Sequence, residues 1–294
     1  MRVLITGAGG QLGRALAAAA PALAQVRSLT RAQLDIADAG AVRSVCAAFA
    51  PELVINAAAY TRVDDAEDAP EDAARANSIG PAVLAEACRA ASAWLLHVST
   101  DFVFDGRQGR PYDTQAEPNP LSVYGRTKLA GEAAILRELP GSAAVVRASW
   151  LYSADSGFAA RMLALMRTRP QLRVVSDQVG APTHAAGLAG TLWALGTRRA
   201  AGLWHWCDSG VASWYDFAVA IAEEALRLKL LAAVPPIVPI GTADYPTRAA
   251  RPSYSVLDKR ATESLLGAAA PHWRTALRAT LAPLAPLADG GAGR

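Results

Sequence analysis

Thr6-Gly7-Ala8-Gly9-Gly10-Gln11-Leu12-Gly13 follows the apolar run Val3 to Ile5 and leads into the Ala-rich stretch Gln11 to Ala20. A strand, a glycine turn and a helix in that order open a nucleotide-binding βαβ unit. Glycines at 7, 10 and 13 allow a tight bend, close approach of a pyrophosphate to backbone N–H groups at a helix start, and close helix-to-sheet packing. The spacing is G-x-x-G-x-x-G, not the G-x-G-x-x-G of the common dehydrogenase fingerprint. A plain glycine turn is the bland alternative, and the strand context weighs against it.

Outward from this turn, short apolar runs alternate with longer helical stretches, the rhythm of a parallel sheet covered by helices. Strands are expected at Val3 to Ile5, Val26 to Leu29, Leu53 to Ala57, Trp94 to Ser99 and Ala143 to Arg147. Helices are expected at Gln11 to Ala20, Ala39 to Ala50 behind an Asp38 N-cap, Pro70 to Ser92 and Ser122 to Leu139. After Arg147 the alternation decays into shorter segments punctuated by prolines, and a smaller domain begins near Trp150. The expected fold class is α/β: a Rossmann-like, doubly wound parallel sheet with a smaller mixed α/β substrate-binding domain. Residues 1–148, with return segments near 183–206, would form the dinucleotide-binding domain, 149–284 mainly the substrate-binding domain, and 285–294 a frayed tail.

Composition narrows the role. The 294 residues are 52% hydrophobic and 19% charged, enough to bury a core, which excludes disorder of the whole. A net charge of +3 with no basic run gives neither nucleic acid nor an anionic membrane a footing. Cys46, Cys88 and Cys207 are widely spaced, with no C-x-x-C pair and only four histidines, which argues against a disulfide framework and a zinc site. Glycines interrupt the apolar start, so Met1 to Ala24 is not a secretion signal, and no eighteen-residue apolar window occurs. The expected location is cytoplasmic.

The second strand ends in Leu29-Thr30-Arg31, with no acid where a ribose 2′-OH partner would stand. An arginine there suits a 2′-phosphate, which favours NADPH, with NADH possible. Asp35 and Ile36 stand where they could flank the adenine, although Asp35 or Asp38 could equally cap the next helix.

Tyr124-Gly125-Arg126-Thr127-Lys128 puts a Tyr and a Lys four residues apart on one helix face. With seven tyrosines and only three lysines in the chain, roughly 0.07 such pairs would arise by chance. A nearby ammonium favours the phenolate, so Lys128 would tune Tyr124 as a general acid. Val98-Ser99-Thr100-Asp101 ends the fourth strand with two hydroxyls at the sheet's carboxyl edge, where Thr100 could orient a substrate oxygen. A strand-ending hydroxyl and a capping Asp would look the same. Small residues in Asn56-Ala57-Ala58-Ala59-Tyr60-Thr61 would let a cofactor lie close to the backbone.

These motifs together resemble the extended short-chain dehydrogenase/reductase superfamily, and within it the dTDP-4-dehydrorhamnose reductase family, from Met1 to about Leu281. The matching stretches are GAGGQLG at Gly7 to Gly13, LDI at Leu34 to Ile36, NAAAYTRVDDAE at Asn56 to Glu67 and STDFVFDG at Ser99 to Gly106. PLSVYGRTKLAGE at Pro120 to Glu132, RASWLY at Arg147 to Tyr152, DQVGAPT at Asp177 to Thr183 and RPSYSVLD at Arg251 to Asp258 complete them. The resemblance implies reduction of the C4 ketone of dTDP-4-dehydro-β-L-rhamnose, a dTDP-4-dehydro-6-deoxy-L-hexose, by NAD(P)H. It implies that Tyr124 supplies the proton, Lys128 holds the nicotinamide ribose, and Thr100 adjusts the hydrogen bonding. It further assigns Gly10, Gln11 and Leu12 to the pyrophosphate, Asp35 and Ile36 to the adenine side, and Ala59, Tyr60 and Thr61 to the nearer ribose and nicotinamide. Asp101 and Trp150 would contact the sugar, with Arg251 a candidate for the diphosphate; Trp150 could equally be a core anchor. Some members carry a Glu two residues past the third glycine for a magnesium-linked dimer. Ala15 stands there, so a monomer or weak homodimer is expected, with no catalytic metal.

Two other readings stand beside this one. A nucleotide-sugar epimerase or dehydratase would share the cofactor fold and the Tyr/Lys pair, although only one acid, Asp101, follows Thr100. A non-catalytic regulatory subunit would have no need to keep Thr100, Tyr124 and Lys128 together.

Overall fold

The computed structural model describes residues 1–285; the tail expected at 285–294 lies, apart from Ala285, outside them. Five strands, β1 (Arg2–Thr6), β2 (Gln25–Leu29), β3 (Leu53–Asn56), β4 (Trp94–Thr100) and β5 (Ala143–Ala148), arise where the apolar runs predict them. A sixth strand, Gly202–Trp206, joins them edge to edge, all pairs parallel. From one edge the order is Gly202–Trp206, β5, β4, β3, β1, β2, so the direction of winding reverses between β1 and β3. In open parallel sheets that switch point opens a crevice at the carboxyl ends of the strands.

Helices cover both faces. On one side α1 (Gln11–Ala18) packs beside a later helix, Ala185–Thr197, with Leu12, Leu16, Leu188 and Leu192 buried against Val3, Ile5 and Ile55. On the other, α2 (Ala39–Phe49) is capped by Asp38, whose carboxylate accepts the Ala41 N–H. Cys46, Leu84, Cys88 and Ile135 pack there against Leu4, Val54 and Leu95.

The single helix expected from Pro70 to Ser92 is corrected. A short α3 (Val63–Asp68) precedes it, and the stretch itself comprises α4 (Pro70–Ala74), a π-helical turn (Arg75–Ile79) and α5 (Gly80–Ala90). Pro70 disfavours helix at Ala69, which separates α3 from α4. Pro81 has no N–H for the carbonyl of Asn77 four residues back, and the chain widens to a π turn there. The helix expected at Ser122 to Leu139 forms as α6 (Val123–Glu138), with the Ser122 hydroxyl accepting the Gly125 N–H.

Beyond Tyr152, a second core gathers α7 (Gly157–Met166), the later helices Trp214–Arg227 and Trp273–Leu281, and a parallel pair, Leu172–Val175 with Ile237–Ile240. The expected shortening of elements does not hold for Ala185–Thr197 or Trp214–Arg227. The latter starts at a capping box in which Ser213 and Asp216 satisfy each other's backbone N–H groups.

Candidate active site

A cleft of about 860 Å³ opens at the switch point. It gathers Gly7, Gly10, Gln11, Leu12, Arg31, Asp35, Ile36, Ala59, Thr61, Thr100, Asp101, Tyr124, Lys128, Trp150 and Arg251. Two expected residues do not line it. Gly13 is buried where a Cβ would stand 2.2 Å from the Gly7 carbonyl oxygen, so it serves the close turn-to-helix packing. Tyr60 is buried beside Tyr124, and the Asn77 side chain clamps its backbone: Oδ1 accepts the Tyr60 N–H at 2.8 Å, and Nδ2 donates to its carbonyl at 3.1 Å. Asn77 escaped sequence reasoning because one Asn inside a helical stretch carries no signal.

At the glycine turn, Gly7 has φ +73°, and a Cβ there would stand 2.5 Å from the Ala58 nitrogen. Gly10 caps α1 without any side-chain bond, which leaves the first-turn N–H groups to an acceptor from the cleft. A glycine cradle at a helix start above the small floor Ala57–Ala59 fits a dinucleotide pyrophosphate. Toward β2, Arg31 is exposed on the rim. Asp35 is engaged: Arg75 donates to its carboxylate at 2.8 Å and the Ala37 N–H at 3.0 Å, and these bonds hold its pKa below the usual range. Asp38, not Asp35, caps α2.

At the other end, α6 is pressed against the segment following β4. A Cβ on Gly125 would stand 2.2 Å from the Phe102 carbonyl oxygen, and one on Gly131 2.1 Å from that of Asn77. Those approaches set Tyr124 next to Thr100. Burial pushes Tyr124 up to about 12, with the Thr100 hydroxyl opposing the rise and the Asp101 charge adding to it. Thr100 also accepts the Phe102 N–H at 3.2 Å and donates to Asp101 at 3.2 Å, so it is both a cap and a cleft residue. Asp101 is buried, one carboxylate oxygen has no partner, and burial raises it to about 6 against the Ser255 and Thr100 hydroxyls.

Lys128 is 1% exposed. Its Nζ donates to the Val98 carbonyl at 2.6 Å and lies 3.1 Å from His97 Nε2. Burial lowers its pKa to about 8, against the Glu132 charge. The Tyr124 pKa stands raised, with burial the dominant cause, and Lys128 Nζ is bonded within β4.

Trp150 has φ +43° and stacks on Trp214, ring centroids 3.6 Å apart and nearly parallel. Gly180 leaves the room, since a Cβ there would meet the Trp150 ring at 2.6 Å. Trp214 also lines the cleft and was missed, although Ser213-x-x-Asp216 marks a helix start beside it. Arg251 reaches the cleft but is held by Asp64 through two bonds of 3.1 and 2.7 Å.

A doubly wound parallel sheet with a glycine cradle at its switch point, and with a hydroxyl, a phenol and a lysine at the carboxyl edge of β4, defines a dinucleotide-binding protein of the short-chain dehydrogenase/reductase type. The family described as "RmlD substrate binding domain" matches residues 1–285. A dTDP-4-dehydrorhamnose reductase of Streptomyces griseus is 42% identical, covering 100% of this chain and 96% of its own. That of Aggregatibacter actinomycetemcomitans is 40% identical over 94% of this chain and 97% of its own. The crystal structure of dTDP-4-dehydrorhamnose reductase from Bacillus anthracis in complex with NADP is 33% identical, with a TM-score of 0.89 over 95% of this chain and 98% of that one. The chain belongs to the RmlD substrate binding domain family.

Proposed function

We propose that the chain reduces the C4 ketone of dTDP-4-dehydro-β-L-rhamnose to dTDP-β-L-rhamnose, using NADPH and, less favourably, NADH. The observation that carries this reading is the convergence of Tyr124, Thr100 and Lys128 in the same cleft as the glycine cradle. In this reading residues 1–148 and 183–206 hold the dinucleotide, and 149–284 mainly hold the sugar.

When bound, the reduced nicotinamide supplies the hydride that reaches C4. Gln11 and Leu12 would offer backbone N–H groups to the pyrophosphate, which Gly10, its own N–H taken by the Gly7 carbonyl at 2.9 Å, lets come close; Ile36 would pack at the adenine side beside Asp35, and Arg31 would meet the 2′-phosphate. Ala59 and Thr61 border the nearer ribose, with Tyr60 fixing their backbone from behind. Tyr124, kept protonated at neutral pH by burial, gives its proton to O4 as C4 gains the hydride, so that ketone, hydride and proton balance to the alcohol. Thr100 hydrogen-bonds the same oxygen, and Lys128 orders the ribose. Trp150, backed by Trp214, forms an apolar wall for the sugar, and Asp101 holds a sugar hydroxyl. Arg251 would serve the diphosphate only with donors left over from its pair with Asp64.

Among the described residues no helix is long and apolar enough to cross a membrane. Three free, buried cysteines favour a cytoplasmic home. A monomer or weak homodimer completes the proposal, to be checked by sedimentation. The decisive experiment is the loss of NADPH and, in parallel, NADH absorbance on mixing the protein with dTDP-4-dehydro-β-L-rhamnose generated in place, with identification of the product sugar. Oxidation yielding dTDP-L-rhamnose supports the reading. Tight cofactor binding without oxidation would favour an epimerase or a regulatory subunit.

A further inference from the structure

The first N–H groups of a helix have no partner within it, and α6, which carries Tyr124 and Lys128, has to find partners for its own. Ser122 serves one of them, its hydroxyl accepting the Gly125 N–H at 3.1 Å. The N–H of Val123, the residue before Tyr124, is taken by a side chain from elsewhere in the fold. Glu67 Oε1 accepts it at 2.8 Å, across 56 positions of sequence.

Glu67 stands half-buried on α3, the short helix that follows the cleft-lining Thr61. The sequence of α3, VDDAED, carries three further acids, and all three are bonded to the loop at 248–251. Asp64 accepts Arg251 through bonds of 3.1 and 2.7 Å and the Ala249 N–H at 3.1 Å. Asp65 takes Arg248 at 2.7 Å, and Asp68 is bonded to the same guanidinium. Val63 and Ala66 pack with Tyr60 and Tyr124. The helix α3 is thus anchored to the later half of the chain independently of α6. A cap within a helix's own chain, such as Ser122, moves with the helix, whereas a cap on a separately anchored element fixes where the helix starts. A carboxylate also suits the positive end of the helix dipole.

We infer that Glu67 is a positioning residue for the reaction: by holding the Val123 N–H it pins the first turn of α6 to α3 and so sets the Tyr124 phenol against Thr100. It does not line the cleft, and it acts only through the backbone beside Tyr124. Two restraints of opposite sense then locate the phenol. The contact of Gly125 with the Phe102 carbonyl limits how near α6 comes to the end of β4, and Glu67 limits how far the helix start can retreat. A misplacement of about 1 Å costs about a hundredfold in rate. A start still held by Ser122 and by packing slips less, so the expected loss on removing the carboxylate is about tenfold.

The inference rests on Tyr124 as the proton donor of the proposed reductase, and one arm of its test needs no turnover. In Glu67→Ala, hydrogen exchange at the backbone amides of residues 123–126 should quicken by about tenfold, with the middle of α6 unchanged. Unchanged exchange at the helix start, or equal quickening along the whole of α6, overturns the inference. In stopped flow, with NADPH bound and the sugar nucleotide saturating, Glu67→Ala should oxidise NADPH about tenfold more slowly at native amplitude. A loss of amplitude at native rate would mean that only the folded fraction had fallen, and overturns it. Glu67→Gln keeps an oxygen for the Val123 N–H, so it should restore most of the rate; a Gln variant as slow as Ala would make the charge rather than the bond responsible, and also overturns it. Should Glu67→Ala not fold, Val123→Pro removes the donor instead. Proline is well suited to the first helical position, behind a Ser122 that is already extended at ψ 160°. That variant should be slowed alike, and a native rate in it overturns the inference. A native protein that does not oxidise NAD(P)H defeats the proposed function instead, and exchange at the start of α6 then decides by itself whether Glu67 holds it.

Discussion

Tyr124 and Arg31 show how much one side chain can decide. Tyr124 is buried and protonated, with a hydroxyl on one side and a carboxyl beyond it, so removing only its oxygen should stop proton delivery without disturbing the cradle. Tyr124→Phe is expected to lower kcat by about 10²–10⁴-fold, with NADPH affinity changed less than about twofold; fluorescence titration beside steady-state kinetics checks both numbers, and equal losses would move Tyr124 out of the chemistry. Arg31 stands exposed on the rim, while the nearby Asp35 is occupied by Arg75. Arg31→Ala is expected to weaken NADPH by roughly tenfold, about 1.4 kcal/mol, and to leave NADH nearly unchanged. Equal weakening of both cofactors in calorimetric titration would refute the 2′-phosphate role. Both residues were legible in the sequence, one from Tyr-x-x-x-Lys spacing and the other from its place at the end of β2. The clamp of Asn77 on Tyr60 was not, because a buried amide's worth depends on which backbone folds over it.

At the level of elements, the position of α6 is set by what its glycines allow. Gly125 lets the helix start touch the Phe102 carbonyl, and Gly131 lets its middle touch that of Asn77. Gly125→Ala must push α6 away from β4 or twist the Phe102 segment, and both carry Tyr124 off Thr100. The variant is expected to lose about 1–3 kcal/mol of stability and also to lower kcat, read from urea unfolding and turnover; a stable variant with native kcat would mean the approach is not needed. The same spacing that marked α6 as a helix concealed this, since a glycine within a helix reads as a propensity cost until its neighbour is known. The π turn is similar. Pro81 was visible, but its effect depended on Asn77 being wanted at Tyr60.

For the molecule as a whole, the two cores meet near Asp208, which follows the Gly202–Trp206 strand and accepts the His184 N–H at 3.0 Å, at the start of the Ala185–Thr197 helix. Burial raises Asp208 to about 7, opposed by the His184 bond and the Lys259 charge. A carboxyl that binds its proton more tightly when folded stabilises the protein at acid pH, and that contribution fades as pH climbs from about 4 to 7, where the unfolded chain is already deprotonated. Buried His97 and His205 and half-buried His184, their pKa values lowered by burial, pull in the opposite direction up to about pH 6.5, so the native curve mixes both. The clean expectation is comparative: Asp208→Asn should gain melting temperature on the native protein between about pH 4 and 7, by several degrees in all, and level off above that. A difference that stays flat with pH would mean Asp208 titrates normally.

The sequence alone determined the α/β class, the strands of the sheet's first half, the glycine cradle and the Tyr124/Lys128 pair. Each of these is a local pattern in which period, turn chemistry or spacing carries the physics within a few residues. Only the tertiary structure decided that Arg251 is held by Asp64, that Trp214 backs Trp150, and that Lys128 Nζ reaches His97 and the Val98 carbonyl. Those outcomes depend on contacts between residues tens to hundreds of positions apart, and burial there sets which polar group must find which partner.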